Sequence, residues 1–206
     1  MSVNEMKKIS ELPSELFNGV TNPYVPGPAL QYSAKVKLHS DYEPDIDPIT
    51  FEVIRHALWN INEEHGATIQ RVSGSPVAMY ALDLNPTIMT EDAEFVYVGP
   101  YMQYMSGVAD TPVKWILQYR SDNPGIADGD MFLSNDPWVG APHQQDVMLI
   151  CQIFWEGDLF AWITNCLHQC DIGGITQGSF CPAAESSFDE GLSLPPVKHI
   201  EYFKTG

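Results

Sequence analysis

Two apolar segments either side of a short turn constrain this chain most. VMLICQIF (147–154) and LFAWITNCLH (159–168) are rich in β-branched, aromatic and aliphatic residues, and WEGD between them carries Gly157. The pattern predicts a β-hairpin. Antiparallel pairing around a turn centred on Gly157 sets Asp146 opposite His168, and such neighbours lie about 5 Å apart. Three residues before Asp146 stands His143, and three residues after His168 stands Asp171. The hairpin therefore gathers two distant His-x-x-Asp pairs at its open end.

Two imidazoles and two carboxylates suit a divalent cation of the Mn, Zn or Fe type, with positions left for substrate. The same spacing also serves an Asp that holds an imidazole tautomer or caps a turn. A slip of one residue would put Asp146 and His168 on opposite faces. Asp171 is followed by Ile-Gly-Gly, and two glycines let backbone turn sharply or approach a ligand. Asn135-Asp136-Pro137 upstream is first of all a turn signature.

Around the hairpin, DPITFEVIRHALWNINEEHG predicts a long helix. Asp47 is a good N-cap, Pro48 suits the first turn, Phe51, Ile54, Leu58 and Ile61 keep helical spacing, and Gly66 marks a stop. VAMYALDL and AEFVYVG read as short strands. YMQYMSGVADTPVKWILQYR reads as a helix with Val113, Ile116 and Leu117 facing inward, and MFLSNDPWVG as a strand entering a turn. Residues 1–46, with prolines at 13, 23, 26, 28 and 44, predict an extended arm that wraps a partner or the body, with a short helix over 9–17. The expected fold is α+β: a mixed or antiparallel sheet with a central hairpin, one long packed helix and the N-terminal arm, the body spanning 47–206.

A net charge of −17 repels a phosphate backbone and an anionic membrane surface, and no basic patch offsets it. No apolar run reaches the roughly 18 residues of a membrane span, and no apolar block follows the N-terminal lysines. Neither nucleic acid nor membrane is expected as a partner. Without a signal peptide, Cys151, Cys166, Cys170 and Cys181 read as reduced, buried thiols of a cytoplasmic protein, and the CxxxC of Cys166 and Cys170 has neither zinc nor redox spacing.

NDPWVGAPHQQDVMLICQIFWEGDLFAWITNCLHQCDIGG resembles the hydantoinase B/oxoprolinase family. That family's pattern is Asn-Asp-Pro-aromatic, a Gly-Gly-Thr-His-x-x-Asp loop, an apolar hairpin and His-His-x-Asp-Ile-Gly-Gly. The resemblance covers about residues 47–185 and departs at Gln169, where a second histidine is usual, and at Ala141-Pro142, where Gly-Thr is common. Both changes flank the presumed ligands. It implies an N-terminal portion of a larger subunit of an ATP-dependent ketone carboxylase, which joins acetophenone or acetone to bicarbonate. The metal ligands would be His143, Asp146, His168 and Asp171, with Asp136, His143 and His168 as catalytic candidates. ATP and Mg would be used on a hydantoinase A-like partner subunit, beside a small accessory subunit; no GxxxxGK[ST] occurs here. The alternatives are ATP-assisted opening of a cyclic amide by an N-methylhydantoinase or 5-oxoprolinase, and a non-catalytic scaffold.

Overall fold

The hairpin forms the centre of the sheet. This computed structural model describes residues 23–201; the helix expected over 9–17 lies outside them. Strand β4 (Asp146–Trp155) and β5 (Asp158–His168) pair antiparallel, with Asp146 opposite His168. Outward from them the order is β2 (Phe95–Val98), β1 (Leu84–Thr90), β5, β4, β3 (Met131–Ser134) and β6 (Val197–Ile200), every neighbouring pair antiparallel. The fold is α+β with an open antiparallel sheet.

The register rests on two local features. Glu156 and Gly157 both take positive φ (51° and 89°), the backbone of a tight two-residue hairpin turn. A bulge then leaves Phe160 unpaired between Leu159, opposite Phe154, and Ala161, opposite Ile153. Leu159 faces inward before the bulge; Trp162, Thr164, Cys166 and His168 face inward after it, all essentially buried.

That inner face packs against helix α3 (Asp110–Arg120) through Val113, Ile116 and Leu117, with Phe132, Met148, Ile150 and Trp162 opposite. The expected helix from 101 to 120 is broken. A single turn, α2 (Gln103–Ser106), ends at Gly107 before α3 begins. Residues 77–81 of the expected first strand form a π-helical turn, and β1 starts only at Leu84.

Helix α1 (Pro48–Val72) is capped by Asp47, whose carboxylate accepts from Ile49 N–H and Thr50 N–H, as expected. It does not stop at Gly66. A Cβ there would stand 2.3 Å from the Tyr101 ring and 3.2 Å from Pro86, so the glycine lets α1 approach β1 closely instead of ending the helix. Phe51, Ile54 and Ile61 are accordingly turned outward and exposed. Among the described residues no helix is long and apolar enough to cross a membrane. All four cysteines are free thiols, but only Cys166 is buried as expected; Cys151, Cys170 and Cys181 are partly exposed.

The described part of the N-terminal segment lies on the body. Tyr24 N–H donates to Trp138 C=O, Val36 joins the core, and Leu38 forms a parallel bridge to Leu159.

Candidate metal centre

The end of the sheet where β1, β5 and β4 finish carries the site. The first His-x-x-Asp closes on itself: Asp146 N–H donates to His143 C=O at 3.0 Å, so one turn points both side chains the same way. Asp146 then opens β4 directly across from His168, the last residue of β5. His143 Nε2 lies 3.4 Å from Asp146 Oδ2, and His168 Nδ1 lies 3.3 Å from Asp146 Oδ1. The two imidazole rings meet edge to face at 4.9 Å. Ligand atoms of His143, Asp146 and His168 all fall within 4.8 Å of one another.

Asp171 is not brought into this group. The chain leaves the sheet after His168, so the second His-x-x-Asp shares the spacing of the first and not its turn. The Asp171 carboxylate accepts from Gly173 N–H at 2.7 Å and Gly178 N–H at 3.2 Å, which holds its pKa below the usual carboxylate range. Asp136 caps the turn Pro137–Val139, accepting from Trp138 N–H at 2.9 Å; burial raises its pKa. Asn135 ties the His143 loop to the segment ahead of β6. Its Nδ2 donates to Gln144 C=O and Leu192 C=O, and its Oδ1 accepts from Leu194 N–H, each at 2.7 Å. Asn135→Ala should destabilise the fold by about 2–4 kcal/mol, because the backbone groups it served lose their partners. Urea unfolding at unchanged m-value measures this.

One acidic residue at the site escapes a reading of the hairpin alone. Asp83 precedes β1, and because Leu84 pairs with Leu167, Asp83 falls beside His168. His168 N–H donates to Asp83 C=O, and Asp83 Oδ2 lies 3.5 Å from His168 Nδ1. Tyr104 donates its hydroxyl to Asp83 Oδ1 at 3.1 Å. Burial, then Asp146 and Asp83, push the Tyr104 phenol up and keep it a donor.

Asp146 and His168 are fully buried, yet both carboxylate oxygens of Asp146 and both ring nitrogens of His168 lack a hydrogen-bond partner. Burial raises the Asp146 pKa to about 7, with the charge of Asp83 adding to it. Burial lowers that of His168; Asp83 opposes, His143 reinforces, and the Ser179 backbone opposes. Unpaired buried groups of this kind are costly. A cation between them would satisfy the Asp146 carboxylate and one ring nitrogen of His168, so the donor set fits a divalent metal. His143 Nδ1 lies 2.9 Å from Gln145 Oε1, which can only accept. The ring proton therefore sits on Nδ1, and Nε2 turns a lone pair toward the cluster.

A family model for hydantoinase B/oxoprolinase matches residues 47–204. The chain belongs to the hydantoinase B/oxoprolinase family. Its relatives in that family include the acetophenone carboxylase delta subunit of Aromatoleum aromaticum, 31% identical over 166 residues that make up 80% of this chain and 24% of that one. The 5-oxoprolinase 1 of Arabidopsis thaliana is 28% identical over 155 residues, 75% of this chain and 12% of that protein. Among solved structures, the ATP-dependent caprolactamase from Pseudomonas jessenii superposes with a TM-score of 0.61 at 25% identity, covering 74% of this chain and 26% of that one. This chain thus spans a quarter or less of the length of the two named relatives.

Proposed function

We propose that this hydantoinase B-family chain supplies the metal-bearing carbonyl site of an ATP-dependent ketone carboxylase. His143, Asp146 and His168 would hold the metal, with Asp83 as the fourth donor. The carrying observation is the set of buried, unpartnered atoms on Asp146 and His168 facing each other at 3.3 Å. Two carboxylates balance a divalent charge, and two neutral imidazoles complete a set suited to Mn or Zn, with Fe next.

A divalent ion bound there supplies Lewis acidity to a carbonyl, carboxylate or phosphate oxygen. The chain's own residues do the rest. Gln145 fixes the tautomer of His143, and Tyr104 orients Asp83. His143, with 33% of its side chain exposed, forms the open edge through which a substrate enters. In this reading Asp136 serves as the cap of the Pro137–Val139 turn. The absence of a phosphate-cradling motif in the sequence supports ATP use on a partner subunit, and the subunit naming of the carboxylase relative fits a multi-subunit assembly.

The likeness to acetophenone carboxylase delta, which takes in 80% of this chain, favours carboxylation. A second reading, ATP-assisted opening of a cyclic amide, is favoured by the 5-oxoprolinase and caprolactamase likenesses. The native complex, given ATP, divalent metal and labelled bicarbonate, should fix acid-stable label with acetophenone or acetone. Ring opening of 5-oxoproline or a hydantoin without fixation would replace the carboxylase reading by the second. His168→Ala should lower metal affinity by more than the 10–100-fold typical of losing an outer-shell partner, read by elemental analysis of the purified protein.

A further inference from the structure

The segment after His168 returns over the site. Phe180 places its ring 5.6 Å from that of His168 and 6.3 Å from that of His143, the rings 48° and 46° apart. Despite these contacts Phe180 is 69% exposed. Singly exposed apolar side chains are ordinary; Phe180 is set apart by its ring contact with both imidazoles of the cluster. The path that brings it there depends on one carboxylate: Asp171 accepts from Gly173 and Gly178, both at positive φ (83° and 112°), and so pins both ends of the loop that leads to Phe180. Ile175 N–H donates to Asp189 C=O at 2.9 Å, which anchors the same loop to the chain beyond, and Gly174 leaves no room there for a Cβ.

We propose that Asp171 is a latch that holds Phe180 as an apolar wall at the mouth of the site, selecting carbonyl substrates that carry an aryl or branched alkyl group. This rests on the carbonyl-site reading for the substrate class, while the latch itself does not. With the reacting oxygen directed at the imidazole–carboxylate cluster, the ring of Phe180 meets whatever lies beside the carbonyl. Its exposed face offers stacking or dispersion contact to an apolar body and nothing to a polar one. Asp171 touches neither metal ligands nor substrate; it is a positioning residue acting through Phe180.

The test uses Phe180→Ala, Asp171→Ala and the double variant. The first readout needs no turnover. The ring current of Phe180 shifts the imidazole C–H resonances of His143 and His168 in the native protein, and both single variants should relax those shifts. Hydrogen exchange at Gly173 and Gly178 should quicken in Asp171→Ala and not in Phe180→Ala. Metal content should match the unsubstituted protein in all three. In the active complex KM for an aryl ketone should rise about tenfold in either single variant, kcat changing far less and acetone little affected. The double variant should be no worse than Phe180→Ala alone, since the two residues form one device. Loss of metal in Asp171→Ala would make Asp171 a ligand and overturn the latch. Additive KM effects, or histidine resonances unmoved by Asp171→Ala, would overturn it as well. Relaxed histidine resonances with no preference among ketones would keep the latch and reject the substrate wall.

Discussion

Asp146→Asn should abolish metal uptake and at the same time make the metal-free protein more stable above neutral pH. Asp146 is fully buried between His143 and His168, and burial lifts its pKa from the ordinary 3.8 to about 7. A carboxyl that titrates higher in the folded state than in the unfolded state holds its proton when folded. Stability is therefore highest below about pH 4 as far as this group is concerned. It falls as pH rises through the window from about 4 to 7, and the loss is complete above it. Each pH unit separating the two titrations is worth about 1.4 kcal/mol, so the penalty at pH 8 is on the order of 4 kcal/mol. Asparagine has the shape of the protonated acid and cannot ionise. Metal-free wild type and Asp146→Asn should then unfold at similar urea concentrations at pH 4 and diverge toward pH 8, the variant being the more stable. With metal present the order reverses, because only the carboxylate binds, and the wild type gains stability with added metal while the variant does not. Equal stability of the two metal-free proteins at pH 8 would mean that Asp146 has an ionic partner and is not waiting for a cation.

How much of this site a reader of the sequence could find is decided by where each ligand's backbone pairs. His143, Asp146 and His168 belong to one hairpin whose turn and apolar runs are local signals, so their meeting follows from a short stretch of chain. Asp83 meets them only because β1 pairs with β5, and nothing local announces that. The run VAMYALDL looks uniformly strand-like, yet its first five residues close a π-helical turn and Leu82 takes a left-handed φ of 57° before the strand begins. Pro86 then sits inside β1, where a proline ordinarily argues against a paired strand. Asp171 shows the opposite case. Its spacing from His168 equals that of His143 from Asp146, but spacing fixes geometry only within a regular element or a closed turn. Beyond His168 there is neither. Helix α1 is a milder version: its extent past Gly66 and its outward apolar stripe follow from close packing on Pro86 and Tyr101, contacts set by tertiary structure.

The bulge at Phe160 makes the largest structural prediction. A two-residue turn at Glu156–Gly157 taken alone would pair Asp146 with Leu167 and leave His168 one step out of line, on the other face of the sheet. The extra residue between Leu159 and Ala161 moves the pairing by one, and only then does His168 lie opposite Asp146. Deleting Phe160 would keep that pairing, because Ala161 would then follow Leu159 directly and still meet Ile153; an alanine inserted between Ala161 and Trp162 would break it. Every position from Trp162 to His168 would then have to change face, expelling Trp162 and Cys166 from the core and admitting Ile163, Asn165 and Leu167. Burying a Trp-sized side chain is alone worth about 3–5 kcal/mol, a large share of the 5–15 kcal/mol that holds a domain together. The insertion should yield protein that does not fold cooperatively, seen as loss of a sigmoidal thermal transition by circular dichroism, while deletion of Phe160 should keep both that transition and metal binding. Phe160→Ala keeps the residue count and hence the register, so it should cost no more than about 1 kcal/mol and leave metal binding intact. An insertion variant that melted cooperatively and still bound metal would show that the register of β5 is not what brings His168 to Asp146.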